Sequence, residues 1–234
     1  MGKYALERRL SKSAVKREID GTLKRLGTDY LDLYIIHRFD YDTPIEETME
    51  ALDVLVRAGK VRALGASAMY WYQFYNMQLA ARDNGWTPFV SMQNHYNLLY
   101  REDERELIPI CRQMCVSLTP YSPLAAGRLC RKEWHADTKR SMTDKMAANK
   151  YDGTESEDRK IVLRVAEIAE KYGKTMTQIS LAWQFAKGIS SPIIGATKAK
   201  YFDDAAGAFD VKLTAEDIAY LEEPYTPHKI VGAL

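Results

Sequence analysis

LDLYIIHRFD, residues 31–40, is the stretch whose reading decides the fold. Its apolar part, LDLYIIH (31–37), follows an amphipathic segment in which Val15, Ile19, Leu23 and Leu26 recur at helical spacing between Ser11 and Leu26, with Gly27 as the stop. A strand-like run entered from a helix is the beginning of an α/β repeat. An open dinucleotide-binding sheet would offer a glycine-rich turn after its first strand. Here the strand ends in His37-Arg38-Phe39-Asp40, without a glycine. The closed barrel is therefore the architecture expected.

Outward from that stretch the pattern repeats. Thr43-Pro44-Ile45-Glu46 reads as a helix start, with Thr43 as cap, Pro44 at the first helical position and Glu46 completing a capping box. Ile45, Met49, Leu52, Leu55 and Val56 form its apolar stripe. Further apolar runs occupy 61–67, 89–96, 116–123 and 191–197, with helical segments between them, including about 71–83, 104–114, 158–172, 177–187 and 200–209. Five apolar runs alternating with helices predict parallel strands and crossover helices in a single domain, residues 1–234. The polar stretch 128–157 lacks apolar periodicity and reads as a mobile loop.

Composition narrows the function classes. The 234 residues carry 33 Lys+Arg against 32 Asp+Glu, a net charge of +1, which argues against a dedicated nucleic-acid binder. No apolar run approaches the ~20 residues of a membrane helix. The opening MGKYALERRLSK has no apolar signal-peptide region, and Leu6 stands where myristoylation wants Ser or Thr. A soluble, cytoplasmic protein is expected, with no membrane or nucleic-acid partner. Cys111, Cys115 and Cys130 lack zinc or redox-pair spacing and read as small buried apolar residues.

In α/β barrels, residues at the C-terminal strand ends assemble the site. Those ends supply His37, Ser67, Gln93 with Asn94, Tyr121 with Ser122, and Thr197 with Lys198. A lone histidine after a strand is more often structural, but at a barrel mouth an imidazole can donate to a carbonyl oxygen or exchange a proton near neutral pH. Gly195, Thr197 and Lys198 precede a helix start, where free N–H groups attract phosphate; the bland alternative is a solvated strand-to-helix turn. Tyr121 can stack on a flat heterocycle or simply fill a core. His95 reads as a packing and hydrogen-bonding residue. His135 and His228 receive no role, and no metal site can be built. Trp71, Tyr72 and Trp134 read as surface residues rather than pocket lining.

LGTDYLDLYIIHRFD, TPIEETMEALDVLVRAGKVRALGAS, SMQNHYNLLYRE, TPYSPLAAGRL and PIIGATK together resemble the aldo-keto reductase family, most closely its bacterial branch, which is similar to potassium-channel beta subunits. The resemblance runs from about Leu10 to the end of the chain. It implies a (β/α)8 barrel that uses NADP(H) to reduce small aldehydes or ketones to alcohols, with a tyrosine hydroxyl protonating the carbonyl oxygen. By this resemblance His37 matches the histidine that orients the carbonyl. Ser67 and Gln93 match residues holding the nicotinamide carboxamide, and Tyr121 the ring stacked on the nicotinamide. Ser122, Leu124 and Gly127 fall along the pyrophosphate, and Lys132 and Arg140 in the loop over the cofactor. Gly195, Thr197 and Lys198 match the 2′-phosphate site, and Asp204 an acidic position near the adenine. Ala68 and Ala205 depart from the family, where many members carry Asn.

The family's catalytic aspartate, tyrosine and lysine have no counterparts here, and Lys3 and Tyr4 lie in no matching context. The expectation is an N-terminally truncated barrel with about five of eight βα units, exposed edges open to self-association, and weak or absent turnover. Three outcomes compete: a reductase of the family, a non-catalytic NADP(H)-binding or regulatory module, and an incomplete fragment without a stable fold.

Overall fold

The computed structural model describes residues 10–134 and 145–231. They form two compact units, the first containing residues 10–93 and 106–117, the second 94–105, 118–134 and 145–231.

The first unit is built from helix–strand repeats. Helix α1 (Lys12–Leu26) buries Ala14, Val15, Ile19 and Leu23, the stripe its spacing predicts. Each large side chain of that stripe gains about 1.5–3 kcal/mol over exposure. Gly27 ends the helix in the left-handed region, φ 65°, and its N–H closes on Leu23 O at 2.9 Å. Strand β1 (Leu31–Ile35), helix α2 (Ile45–Arg57), strand β2 (Val61–Ser67), helix α3 (Trp71–Asn84), strand β3 (Phe89–Gln93) and helix α4 (Leu107–Gln113) follow. The sheet order is β1-β2-β3-β4, with β4 (Ser117–Leu118) entering this unit at Ser117. β1 and β2 run parallel, as do β2 and β3, so Leu33 lies opposite Ala63, Gly65 opposite both Ile35 and Ser91, and Ser67 opposite Gln93.

Two local expectations are corrected. Pro44, not Thr43, is the cap residue of α2, and no capping box forms. The Thr43 hydroxyl instead donates to the buried Asp40 carboxylate at 2.7 Å. Cys111 is buried, but Cys115 is exposed with φ 55° just past the end of α4, and Cys130 is half-buried. The helix ends between Cys111 and Cys115, so they share no helical face. Asp53 is buried on α2 and accepts from Thr87 N at 2.9 Å, Thr87 Oγ1 at 2.8 Å and Arg57 Nε at 2.5 Å.

In the second unit the helices are α5 (Lys145–Tyr151), α6 (Glu155–Tyr172), α7 (Met176–Ala186), α8 (Ala199–Ala206) and α9 (Ala215–Glu222). Thr175 with Gln178 caps α7, and Thr214 with Asp217 caps α9. The run 116–123 supplies the short β4 and parallel bridges from Tyr121 to His95 and to Ile193. The run 191–197 supplies a single parallel bridge, Tyr121 to Ile193, rather than a fifth strand. Both runs contain proline, which removes a ladder donor and shortens pairing. Arg101 ties the unit together, donating to Glu104 Oε2 at 2.7 Å and Glu222 Oε2 at 2.8 Å, while Trp183 Nε1 donates to Glu222 Oε1 at 2.8 Å. Among the described residues no helix is long and apolar enough to cross a membrane.

Candidate functional site

Three of the expected residues lie in the first unit. His37 follows β1 by two residues and is exposed; desolvation, then the neighbouring Arg38 charge, holds its pKa below the ordinary imidazole value. Ser67 and Gln93 end adjacent strands in register, and the Ser67 hydroxyl donates to Gln93 O at 2.8 Å. The serine oxygen therefore keeps its lone pairs as acceptors, and the Gln93 side chain is half-buried. Ala68 follows with φ 46°. Asparagine adopts that left-handed region more readily than alanine does, which gives the family's preferred residue there a backbone reason.

The remaining described candidates lie in the second unit, where the chain after Tyr121 is unusually bent. Ser122, Ala125 and Ala126 have φ of 57°, 47° and 55°, and Gly127 has φ 96°. The turn is closed by Ala125 N donating to Ser122 O at 3.0 Å and Gly127 N donating to Leu124 O at 2.8 Å. A Cβ on Gly127 would meet Arg131 Nη1 at 3.5 Å, so the guanidinium lies over the glycine. Arg131 Nε is buried and has no hydrogen-bond partner among the described residues. Leu124 packs with Ile194 and Phe185 against a small core of Leu181, Ala205 and Ala208. That cluster brings the Ser122–Gly127 turn, the 191–197 run and α8 together. Lys198 is the residue preceding α8, whose first turn carries no acidic side chain, and Gly195, Thr197 and Lys198 are exposed.

Other candidates are drawn elsewhere. Lys132 forms a surface ion pair with Glu170 at 2.6 Å. Asp204 accepts from the Thr175 hydroxyl at 2.8 Å. Arg140 lies outside the described residues, as do His135 and the central part of the 128–157 stretch. Its described ends hold Arg128 and Trp134, both buried with the guanidinium 5.3 Å from the indole centre, and helix α5. Trp134 is thus a core residue, whereas Trp71 and Tyr72 are exposed, as expected from the sequence.

Sequence reasoning missed Arg131, Lys150 and Tyr151. Lys150 Nζ sits 4.7 Å from the centre of the half-buried Tyr121 ring. Tyr151 is buried, its hydroxyl 2.7 Å from His95 Nε2. Nothing in residue spacing marks these three, because left-handed residues redirect the chain between Tyr121 and Arg131.

The description of the aldo/keto reductase family matches residues 1–225. The chain belongs to the aldo/keto reductase family. An aldo-keto reductase of Fusarium vanettenii is 45% identical over 223 residues, covering 95% of this chain and 60% of that protein. The versiconal hemiacetal acetate reductase of Aspergillus parasiticus is 43% identical over 230 residues, covering 98% of this chain and 67% of that protein. A crystallised thermostable aldo-keto reductase, in complex with the inhibitor epalrestat, superposes with TM-score 0.74 at 28% identity over 92% of this chain and 67% of its own. These matches make the fold class that of the aldo-keto reductase (β/α)8 barrel, present here in part. The chain spans 60% of the Fusarium reductase and 67% of the Aspergillus one. Both relatives are fungal, and what they establish is the family rather than the branch.

Proposed function

We propose that this aldo-keto reductase chain binds NADP(H) and carries the carbonyl-orienting histidine of an oxidoreductase that reduces small aldehydes or ketones to alcohols. The observation that carries the reading is the Tyr121–Arg131 turn. It presents a half-buried aromatic ring, a glycine whose φ of 96° disfavours any side chain and which lies in van der Waals contact with Arg131, and a buried guanidinium Nε without a hydrogen-bond partner among the described residues. Those features fit a flat heterocycle followed by an anionic diphosphate. The ammonium over Tyr121 marks the ring as a face that receives positive charge, as an oxidised nicotinamide would bring.

When bound, the reduced nicotinamide would supply a hydride. The chain's own residues bind and orient. Ser67 and Gln93 hold a carboxamide, Tyr121 stacks, and Ser122, Leu124 and Gly127 follow the diphosphate, with Arg131 added to Lys132 and Arg140 as cationic partners. Gly195, Thr197 and Lys198 receive the 2′-phosphate at the start of α8, and Asp204 lies toward the adenine. That phosphate contact is the basis for NADP over NAD. His37 donates to the carbonyl oxygen, and its lowered pKa keeps it a neutral donor at pH 7. We also propose a cytoplasmic location, one domain overall, a cofactor-covering role for the 128–157 stretch, and self-association through the edge of β1, which bears the half-exposed Leu33.

Of the residues the family uses in catalysis, His37 is the one matched within this stretch, and cofactor binding is the part of the reading that its other matched residues serve. A non-catalytic NADP(H)-binding module is the second reading. The deciding experiment is titration of NADPH into the purified chain, followed by tryptophan fluorescence, with Lys198→Glu as control. Saturable binding weakened at least tenfold by the charge reversal is expected; no saturable binding overturns the reading. Reduction of 4-nitrobenzaldehyde at an ordinary reductase rate would restore the full catalytic assignment.

A further inference from the structure

We propose that His95 is the positioning residue for the Tyr121 ring, holding the face on which the nicotinamide would stack. The inference rests on the cofactor reading above and adds to it a residue that contacts neither cofactor nor substrate. The two rings lie 5.2 Å apart, centre to centre, and within 8° of parallel. His95 also stacks on Tyr100 at 4.2 Å and 14°. The backbones are joined by a parallel bridge between His95 and Tyr121, and Tyr121 N donates to Asn94 O at 2.8 Å. Ring and backbone are thus registered by the same residue pair.

The imidazole is fixed along its edge as well as its faces. Tyr151 Oη lies 2.7 Å from His95 Nε2, and Asn97 Nδ2 donates into that same hydroxyl oxygen at 3.1 Å. The Tyr151 hydroxyl can donate to a bare Nε2 or accept from a protonated one, and it holds the ring edge in either tautomer. Asn97 Nδ2 also donates to Ser122 O at 2.8 Å, so the network that locks the imidazole also holds the first left-handed residue after Tyr121. His95 is 3% exposed, and burial, reinforced by the Lys150 charge, pushes its pKa down to about 3. The ring is therefore an uncharged spacer throughout the neutral range and adds no cation to a face meant for the nicotinamide. An ordinary core histidine would need stacking or a hydrogen bond. This one stacks on the half-buried ring that the cofactor reading requires, and its hydrogen bond to Tyr151 joins the network that holds Ser122 O.

The test compares two ligands that share the phosphate end but differ in the nicotinamide. NADPH and 2′,5′-ADP are titrated into the purified full chain, its His95→Ala variant and its His95→Phe variant, with circular dichroism to verify folding. The expected result is that His95→Ala weakens NADPH about three- to tenfold while 2′,5′-ADP stays within about twofold. His95→Phe, which keeps a flat ring, should recover most of the NADPH affinity. Equal weakening of both ligands in both variants would mean a merely structural role and overturn the proposal. Unchanged NADPH binding in His95→Ala would overturn it too. Failure of the wild-type chain to bind either ligand would instead refute the cofactor reading, and this proposal with it.

Discussion

The Lys150 ammonium lies 4.7 Å from the centre of the Tyr121 ring. A cation in that position is attracted by the ring quadrupole, by about 0.5–1 kcal/mol at a partly exposed site. If Tyr121 is the stacking face, a nicotinamide and this ammonium compete for it. Lys150→Met should then tighten NADPH about two- to fivefold and leave 2′,5′-ADP unchanged. Calorimetric titration reads both. Weakening of both ligands would make Lys150 a phosphate partner instead.

Close strand packing makes a second prediction. A Cβ on Gly65 would sit 2.4 Å from Ser91 Oγ and 3.0 Å from Ile35 Cγ1. Gly65→Ala should destabilise the chain by about 1–3 kcal/mol, seen as a lower thermal midpoint. Ser91 Oγ is buried and has no hydrogen-bond partner among the described residues, so its removal sacrifices little. Gly65→Ala with Ser91→Ala should recover part of the loss. A double variant no more stable than the single one would place the strain elsewhere.

The segment after α9 is pinned by His228, whose Nε2 lies 3.0 Å from both Asp158 carboxylate oxygens while its backbone N–H donates to Glu102 at 2.8 Å. Burial alone would lower the His228 pKa. The bond and charge of Asp158, with further help from the Thr226 carbonyl and Glu102, outweigh it and raise the pKa above 6.5. A raised folded pKa means the stabilisation is complete below about pH 6.5 and is lost as pH rises through the folded value. Limited proteolysis of the C-terminal segment should therefore accelerate from pH 6 to pH 9. His228→Gln should cleave at one rate throughout. A wild-type rate independent of pH would count against the pair.

Asp217 has the opposite sign. Its burial favours the neutral acid, but hydrogen bonds from Lys171, Tyr172 and the Thr214 backbone and hydroxyl overcome that and bring its pKa from 3.8 down to about 2. Its stabilisation is present above about pH 4 and lost as pH falls toward 2. Asp217→Asn should lower stability by about 1–2 kcal/mol at pH 7 and flatten the acid limb of a denaturation series. An acid limb identical to wild type would assign that slope to other carboxylates.

Much of this was legible in the sequence because it is governed by local periodicity and end chemistry. The stripe Val15-Ile19-Leu23 had one helical face to fill, and Gly27 had the freedom to end it in the left-handed region. The apolar runs at 31–37, 61–67 and 89–96 became strands because alternating helices could cover them. The family motifs likewise named Ser67 and Gln93, which end adjacent strands in register.

Tertiary structure alone decided the rest. Thr43 had the chemistry of a cap, but Asp40 took its hydroxyl, a competition that propensity cannot score. The fifth apolar run had the composition of a strand and made one bridge, because pairing depends on partners as well as on side chains. Lys132 and Arg131 are sequence neighbours of like charge, yet one forms a pair with Glu170 and the other lies over Gly127. His95, Asn97, Tyr121 and Tyr151 meet across 56 positions of chain. Residue identity and periodicity determined the helices, the first strands and the family. Where each polar side chain points was settled by left-handed turns and long-range hydrogen bonds, whose energies depend on distances that exist only after the chain has folded.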